Sequence, residues 1–175
     1  METHFDTSSR APILILGLGN VLLGDDGIGP SLLGHISEIY RDFPEVECID
    51  GGTQGLALLG YLSGRRAVVI LDAFSQGKKP GAVAVLDKAE IFAHSNSRAS
   101  TAHEGNAGEL LAVANLLGDL PERVFLVGVE PERLRTELGL SPSVRAALPP
   151  ATVCARAVIE GILTEIGLTP LTLSA

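Results

Sequence analysis

The chain has 175 residues, 46% of them hydrophobic and 19% charged, with a formal net charge of −8. That length suits one domain with a full core, and the acidic balance argues against nucleic acid or an anionic membrane surface as partner, since both need Lys and Arg. No apolar run reaches the roughly 18 residues of a membrane span, and the opening METHFDTSSRAP lacks the basic and apolar regions of a secretory signal. Cys48 and Cys154 are isolated thiols, too few and too far apart for a disulfide framework or a cysteine metal site. Together these features describe a cytoplasmic protein. Residues 1–11 read as a mobile N-terminal tail, 12–166 as a single α/β domain and 167–175 as a C-terminal tail.

Taken in chain order, strand-like runs alternate with helical patterns. APILILGLG (11–19) is apolar without strict alternation, as in a strand buried on both faces. DGIGPSLLGHISEIYRDF (26–43) carries Ile28, Leu32, Leu33, Ile36 and Ile39 at helical spacing, with Pro30 in an early turn that tolerates it. VECID (46–50) is a second strand stopped by Gly51 and Gly52, and LALLGYL (56–62) a short helix. RAVVILDAF (66–74) is the third strand. The turn SQGKKPG leads into GAVAVLD (81–87), a fourth. That connection is too short for a helical crossover, so the fourth strand runs antiparallel to the third. AHSNSRAS reads as a polar stretch. AGELLAVANLLG (107–118) is helical, RVFLVGVE (123–130) is a fifth strand, and 141–166 is helical from an N-cap at Ser141, interrupted at Pro149-Pro150. The pattern predicts a three-layer α/β sandwich around a mostly parallel, twisted, five-stranded sheet with one antiparallel strand.

In such sheets chemistry sits beyond the carboxyl ends of the parallel strands. Asn20 with Asp25 and Asp26, then Asp50, Asp72 and Glu130, all fall there. The stretch ILGLGNVLLGDDGIGP (15–30) is not a dinucleotide fingerprint, because Leu22 stands where the third glycine belongs. No Walker lysine follows, and HEGNA places Ala107 where a metalloprotease helix needs its second histidine. No G-x-S-x-G elbow occurs. Asp25 reads as a helix N-cap, but one carboxylate would suffice for that. Asp72 ends a buried apolar strand, where a carboxylate is costly unless paired or bound to a cation. His4 falls in the tail and His35 on an exposed helix face, which leaves His94 and His103 as imidazole candidates. Two carboxylates and an imidazole suit a first-row divalent metal such as nickel, zinc, manganese or iron, with coordination positions left open.

GLGNVLLGDDGIGP, IDGGTQGLALLGYL, VVILDAF, AHEGN and LVGVEPE followed by LGLSPSV occur in that order. Together they resemble the hydrogenase maturation endopeptidases, which process the large subunit of nickel–iron hydrogenases, and the resemblance spans about residues 12 to 163. It implies an α/β sandwich that removes a C-terminal extension from the large-subunit precursor after nickel insertion. It also implies that metal binding and catalysis fall to Asp26, Asp72 and His103. The nickel would be supplied by the substrate, with no tightly bound cofactor of the enzyme's own. The expected partner is the hydrogenase large-subunit precursor, with no nucleic acid or membrane, and the enzyme is expected to be a monomer. Glycines around 17–19 and 51–55 would keep the approach open to an extended peptide. A non-catalytic nickel-checkpoint module for the same precursor would use the same three ligands. GLGN also opens peptidyl-tRNA hydrolases, but their further motifs are absent.

Overall fold

In the computed structural model, residues 10–95 and 107–169 are described. Strands β1 (Ile13–Leu18), β2 (Val46–Gly52), β3 (Ala67–Ala73), β4 (Val83–Asp87) and β5 (Arg123–Val129) form one sheet in the order β2-β1-β3-β5-β4. All pairings are parallel except β4 with β5. β1 and β3 are central, and their side chains are buried on both faces. Ile13, Ile15, Ala67, Val69 and Leu71 point to one side, and Leu14, Leu16, Val68 and Ile70 to the other. This is why both strands read as unbroken apolar runs.

Helices close both faces. On the first lie α1 (Ile28–Ile39), α5 (Pro142–Ala146) and α6 (Leu148–Glu165), and their Ile28, Leu32, Ile36, Val144, Ala155 and Ile159 complete one core. On the second lie α2 (Leu59–Leu62), α3 (Lys88–Ser95) and α4 (Ala107–Leu117), contributing Leu62, Ile91, Leu110, Leu111 and Ala114 to the other. Each fully buried aliphatic side chain contributes roughly 1.5–3 kcal/mol, so the two cores hold the three layers together. Between α1 and α6, the Tyr40 hydroxyl donates to Glu160 Oε1 at 2.6 Å. No helix among the described residues is long and apolar enough to cross a membrane.

The sandwich and its one antiparallel strand are as the sequence predicts, with differences of detail. β4 runs against the third strand but pairs with β5, at the sheet edge. β2 continues through Gly51 and Gly52, because Gly52 accepts from the Gly19 N–H at 3.0 Å and pairs with Leu18 across a one-residue register shift after Gly17. The expected helix at 26–43 is a 3-10 turn, Gly24–Gly27, followed by α1. The expected helix at 56–62 is likewise a 3-10 turn, Gly55–Leu58, followed by the single turn of α2. The Ser141 cap and Pro142 open α5 as expected, and α6 begins afresh with its prolines in the first turn. Helix α3 was not anticipated, and it carries His94. At the chain ends, Arg10 donates to Gly60 O at 2.6 Å, Arg65 donates to Ala11 O at 2.6 Å, and Leu168 packs against the first core. Cys48 and Cys154 are free and partly buried against that core. Burial and neighbouring Glu47 push the Cys48 thiol up to about 11.

Candidate functional site

After β1 the chain turns to the first face through α1. After β3 it serves the second face through α3 and α4. Adjacent parallel strands whose connections leave in opposite directions open a crevice at their carboxyl ends, the usual ligand position in such sheets. Asp26 follows β1 and Asp72 closes β3, so the crevice lies between two carboxylates.

Asp26 sits in the 3-10 turn, and its Oδ2 accepts from the Asn20 N–H at 2.7 Å. Asn20 Oδ1 in turn accepts from the Leu22 N–H at 2.9 Å, which fixes the loop. Two glycines let these parts meet. Gly19 has a φ of +126°, and a Cβ there would lie 1.9 Å from the Asp26 carbonyl oxygen. Gly29, in the first turn of α1, brings the helix so near the strand ends that a Cβ would lie 2.0 Å from Leu18 O and 2.5 Å from Leu71 O. Gly17 and Gly51 abut Leu33, Leu18 and Leu58 side chains. Packing therefore accounts for these four glycines better than an open peptide channel does.

Asp72 is 9% exposed. Its carboxyl is pushed up to about 8, first by burial and then by repulsion from Asp26, against a lowering hydrogen bond from the Ala73 backbone. Near neutral pH Asp72 therefore holds its proton, which an approaching cation would displace. Strand alternation places Asp72 on the face of Val68 and Ile70, the side of α3 and α4. Phe74, two residues on, packs on that same side. Its ring lies 4.5 Å from the His94 imidazole, centroid to centroid.

His103 and His4 lie outside the described residues. Among the described residues, no three His, Cys, Asp or Glu side chains gather as a metal site. His35 is exposed in the second half of α1.

The remaining acids at this end of the sheet are fastened to backbone. Asp50 is exposed and accepts from the Gly52 N–H at 3.0 Å. Glu130 Oε2 accepts from the Gln76 and Lys78 N–H groups at 2.7 and 3.1 Å, bracing the β3–β4 loop. Asp25 caps no helix of its own, contrary to the sequence expectation, because the turn has no side-chain cap and α1 begins from Gly27. Its fully buried carboxylate instead accepts three amides from residues 132–141, Glu132 (2.9 Å), Arg133 (3.0 Å) and Ser141 (2.6 Å). Burial raises its pKa, and those hydrogen bonds outweigh burial and leave it lowered. The sequence hint of this role was the second carboxylate that no N-cap required.

Fold and site together define a small α/β protein with two carboxylates, Asp26 and Asp72, at a strand-order reversal. Residues 30–157 match the family model described as hydrogenase maturation protease, and the chain belongs to that family. It is 36% identical over 140 residues to the hydrogenase 2 maturation protease of Escherichia coli K12, covering 79% of this chain and 85% of that protein. It is also 36% identical over 161 residues to a hydrogenase expression/formation protein, HupM, of Azotobacter chroococcum, covering 90% and 77%. Among solved structures it resembles the hydrogenase maturating endopeptidase HybD from E. coli, with a TM-score of 0.73 and 33% identity, covering 90% of this chain and 94% of that one. The maturation protease HybD of Thermococcus kodakarensis gives a TM-score of 0.65 at 26% identity, covering 83% and 97%.

Proposed function

We propose that this protein is an endopeptidase that removes the C-terminal extension of a nickel–iron hydrogenase large-subunit precursor after nickel insertion. It docks on the nickel carried by the precursor through Asp26, Asp72 and His103. The observation that carries this reading is the meeting of two carboxylates, one of them buried and electrostatically strained, at the crevice of a hydrogenase maturation protease fold. Such a pair is costly without a cation, and nickel held by the substrate relieves that cost only in the complex. A precursor without nickel offers nothing for the ligands to hold, which makes cleavage conditional on insertion.

His103 enters by its resemblance to the family motif and by its position in the sequence four residues before α4, a helix that covers the face of the sheet to which Asp72 belongs. His94, beside Phe74 on the same side, is the alternative third ligand. Hydrolysis needs a water to attack the scissile carbonyl carbon, the C–N bond to break and a proton to reach the departing amine. The substrate's nickel would polarise the carbonyl or activate the water, or a carboxylate would take the water's proton. The enzyme acts in the cytoplasm as a monomer and holds no tight cofactor of its own.

The test is to incubate the protein with nickel-loaded precursor and weigh the products. Loss of a C-terminal peptide, with nickel-free precursor left intact, supports the peptidase. A stable, uncleaved complex supports the checkpoint module instead. Asp26→Asn, Asp72→Asn and His103→Ala should each abolish cleavage, and normal cleavage by His103→Ala would transfer the third role to His94.

A further inference from the structure

Asp25 lies beside a proposed ligand, yet its fully buried side chain faces away from the crevice chemistry and into another segment. Oδ2 accepts from the Glu132 and Arg133 amides and Oδ1 from the Ser141 amide. The backbones are tied as well. Gly24 N–H donates to Glu137 O at 2.8 Å, Asp25 N–H to Arg133 O at 3.2 Å, and Glu137 N–H to Leu22 O at 3.1 Å. The turn Gly24–Gly27 is four residues long and has no side-chain cap. A 3-10 turn this short has weak internal hydrogen bonds, so tertiary bonds must set its place.

We propose that Asp25 is a positioning residue. By gripping the amides of Glu132, Arg133 and Ser141 it fixes the turn, and so holds the Asp26 carboxylate in place at the crevice. The assignment rests on the functional reading above for its consequence in catalysis, though not for the geometry itself. The ionised carboxylate is suited to this task because charge-assisted bonds to three amides are stronger than neutral ones. An asparagine of the same shape would keep two of them and turn an N–H₂ toward the third donor.

The Asn20 amide, which donates to Asp26 Oδ2, reports whether that carboxylate stays in place. Its hydrogen exchange is to be measured by NMR in the wild type, in Asp25→Asn and in Tyr40→Phe. The last loses a partly buried hydroxyl bond at the far end of α1 and controls for general destabilisation. Positioning requires Asn20 protection to fall at least tenfold in Asp25→Asn and to hold in Tyr40→Phe. It also requires kcat/KM on nickel-loaded precursor to fall at least tenfold in Asp25→Asn relative to Tyr40→Phe. If only the Glu132, Arg133 and Ser141 amides open while Asn20 stays protected, Asp25 merely pins the loop and the proposal is overturned. Should Asp25→Asn not fold, Asp25→Ser, which is smaller and keeps one hydroxyl acceptor, replaces it and the same Asn20 criterion applies. If the wild type leaves the precursor intact, the peptidase reading fails, and the Asn20 measurement still decides the positioning role.

Discussion

Two aspartates on one rim of the sheet are both nearly removed from water, and their titration is displaced in opposite directions. Asp25 is lowered because three amides outweigh its burial, whereas Asp72 is raised to about 8 because burial and Asp26 outweigh a single backbone bond. Burial alone therefore does not mark a carboxylate as chemical or structural. The distinguishing feature is the number of donors the fold has arranged around it. A satisfied carboxylate is architecture, and an unsatisfied one beside a second acid is the one that the proposed function gives to the cation.

The largest effect expected from breaking this contrast is at Asp25. Asp25→Ala leaves three amides without their acceptor, and chemical denaturation should show a loss of about 3–5 kcal/mol. Asp72→Asn should do the reverse for the unliganded protein, raising stability at pH 9 by about 1–4 kcal/mol while destroying processing. The sign follows from the proton. Folded Asp72 holds it up to about pH 8 and an unfolded aspartate only to about 3.8. The Asp72 contribution is therefore complete below pH 4, declines as pH rises, and is gone above 8. Asp25 behaves oppositely, since its stabilisation is full above the unfolded value and is lost as pH falls through its lowered folded value. Denaturation midpoints should accordingly be flatter between pH 4 and 8 in Asp72→Asn than in the wild type. The smallest effect is expected at Asp50, an exposed acid with a single amide bond on the same rim. Asp50→Asn should change stability by less than about 0.5 kcal/mol, and a larger loss would show that the number of donors is the wrong discriminator.

The carboxyl-end acids and the layered sheet were legible in the sequence because both follow from local pattern. Buried strands announce themselves as apolar runs, and their ends fix where polar groups emerge. Sheet order was not legible, since nothing within GAVAVLD specifies that it pairs with β5 and not with β3. Helix α3 was missed because its apolar periodicity is weak, although Asp87 and Glu90 form a reciprocal capping box across DKAE, with both bonds at 2.9 Å. That spacing was readable in principle. The role of Asp25 was not, because its three donors lie more than a hundred residues further along the chain. Asp26 and Asp72 were paired from the family motifs, and the fold adds the reason they interact. They lie on either side of the point where the sheet's connections diverge.

Gly29 gives this arrangement its scale. With hydrogen in place of a side chain, α1 rests on the carbonyls of Leu18 and Leu71, the last contacts before Asn20 on one strand and Asp72 on the next. A single methyl group at that point would act as a wedge between helix and sheet, and the gap between the two acids would widen with it. The spacing between the two carboxylates is thus determined partly by an atom the chain omits.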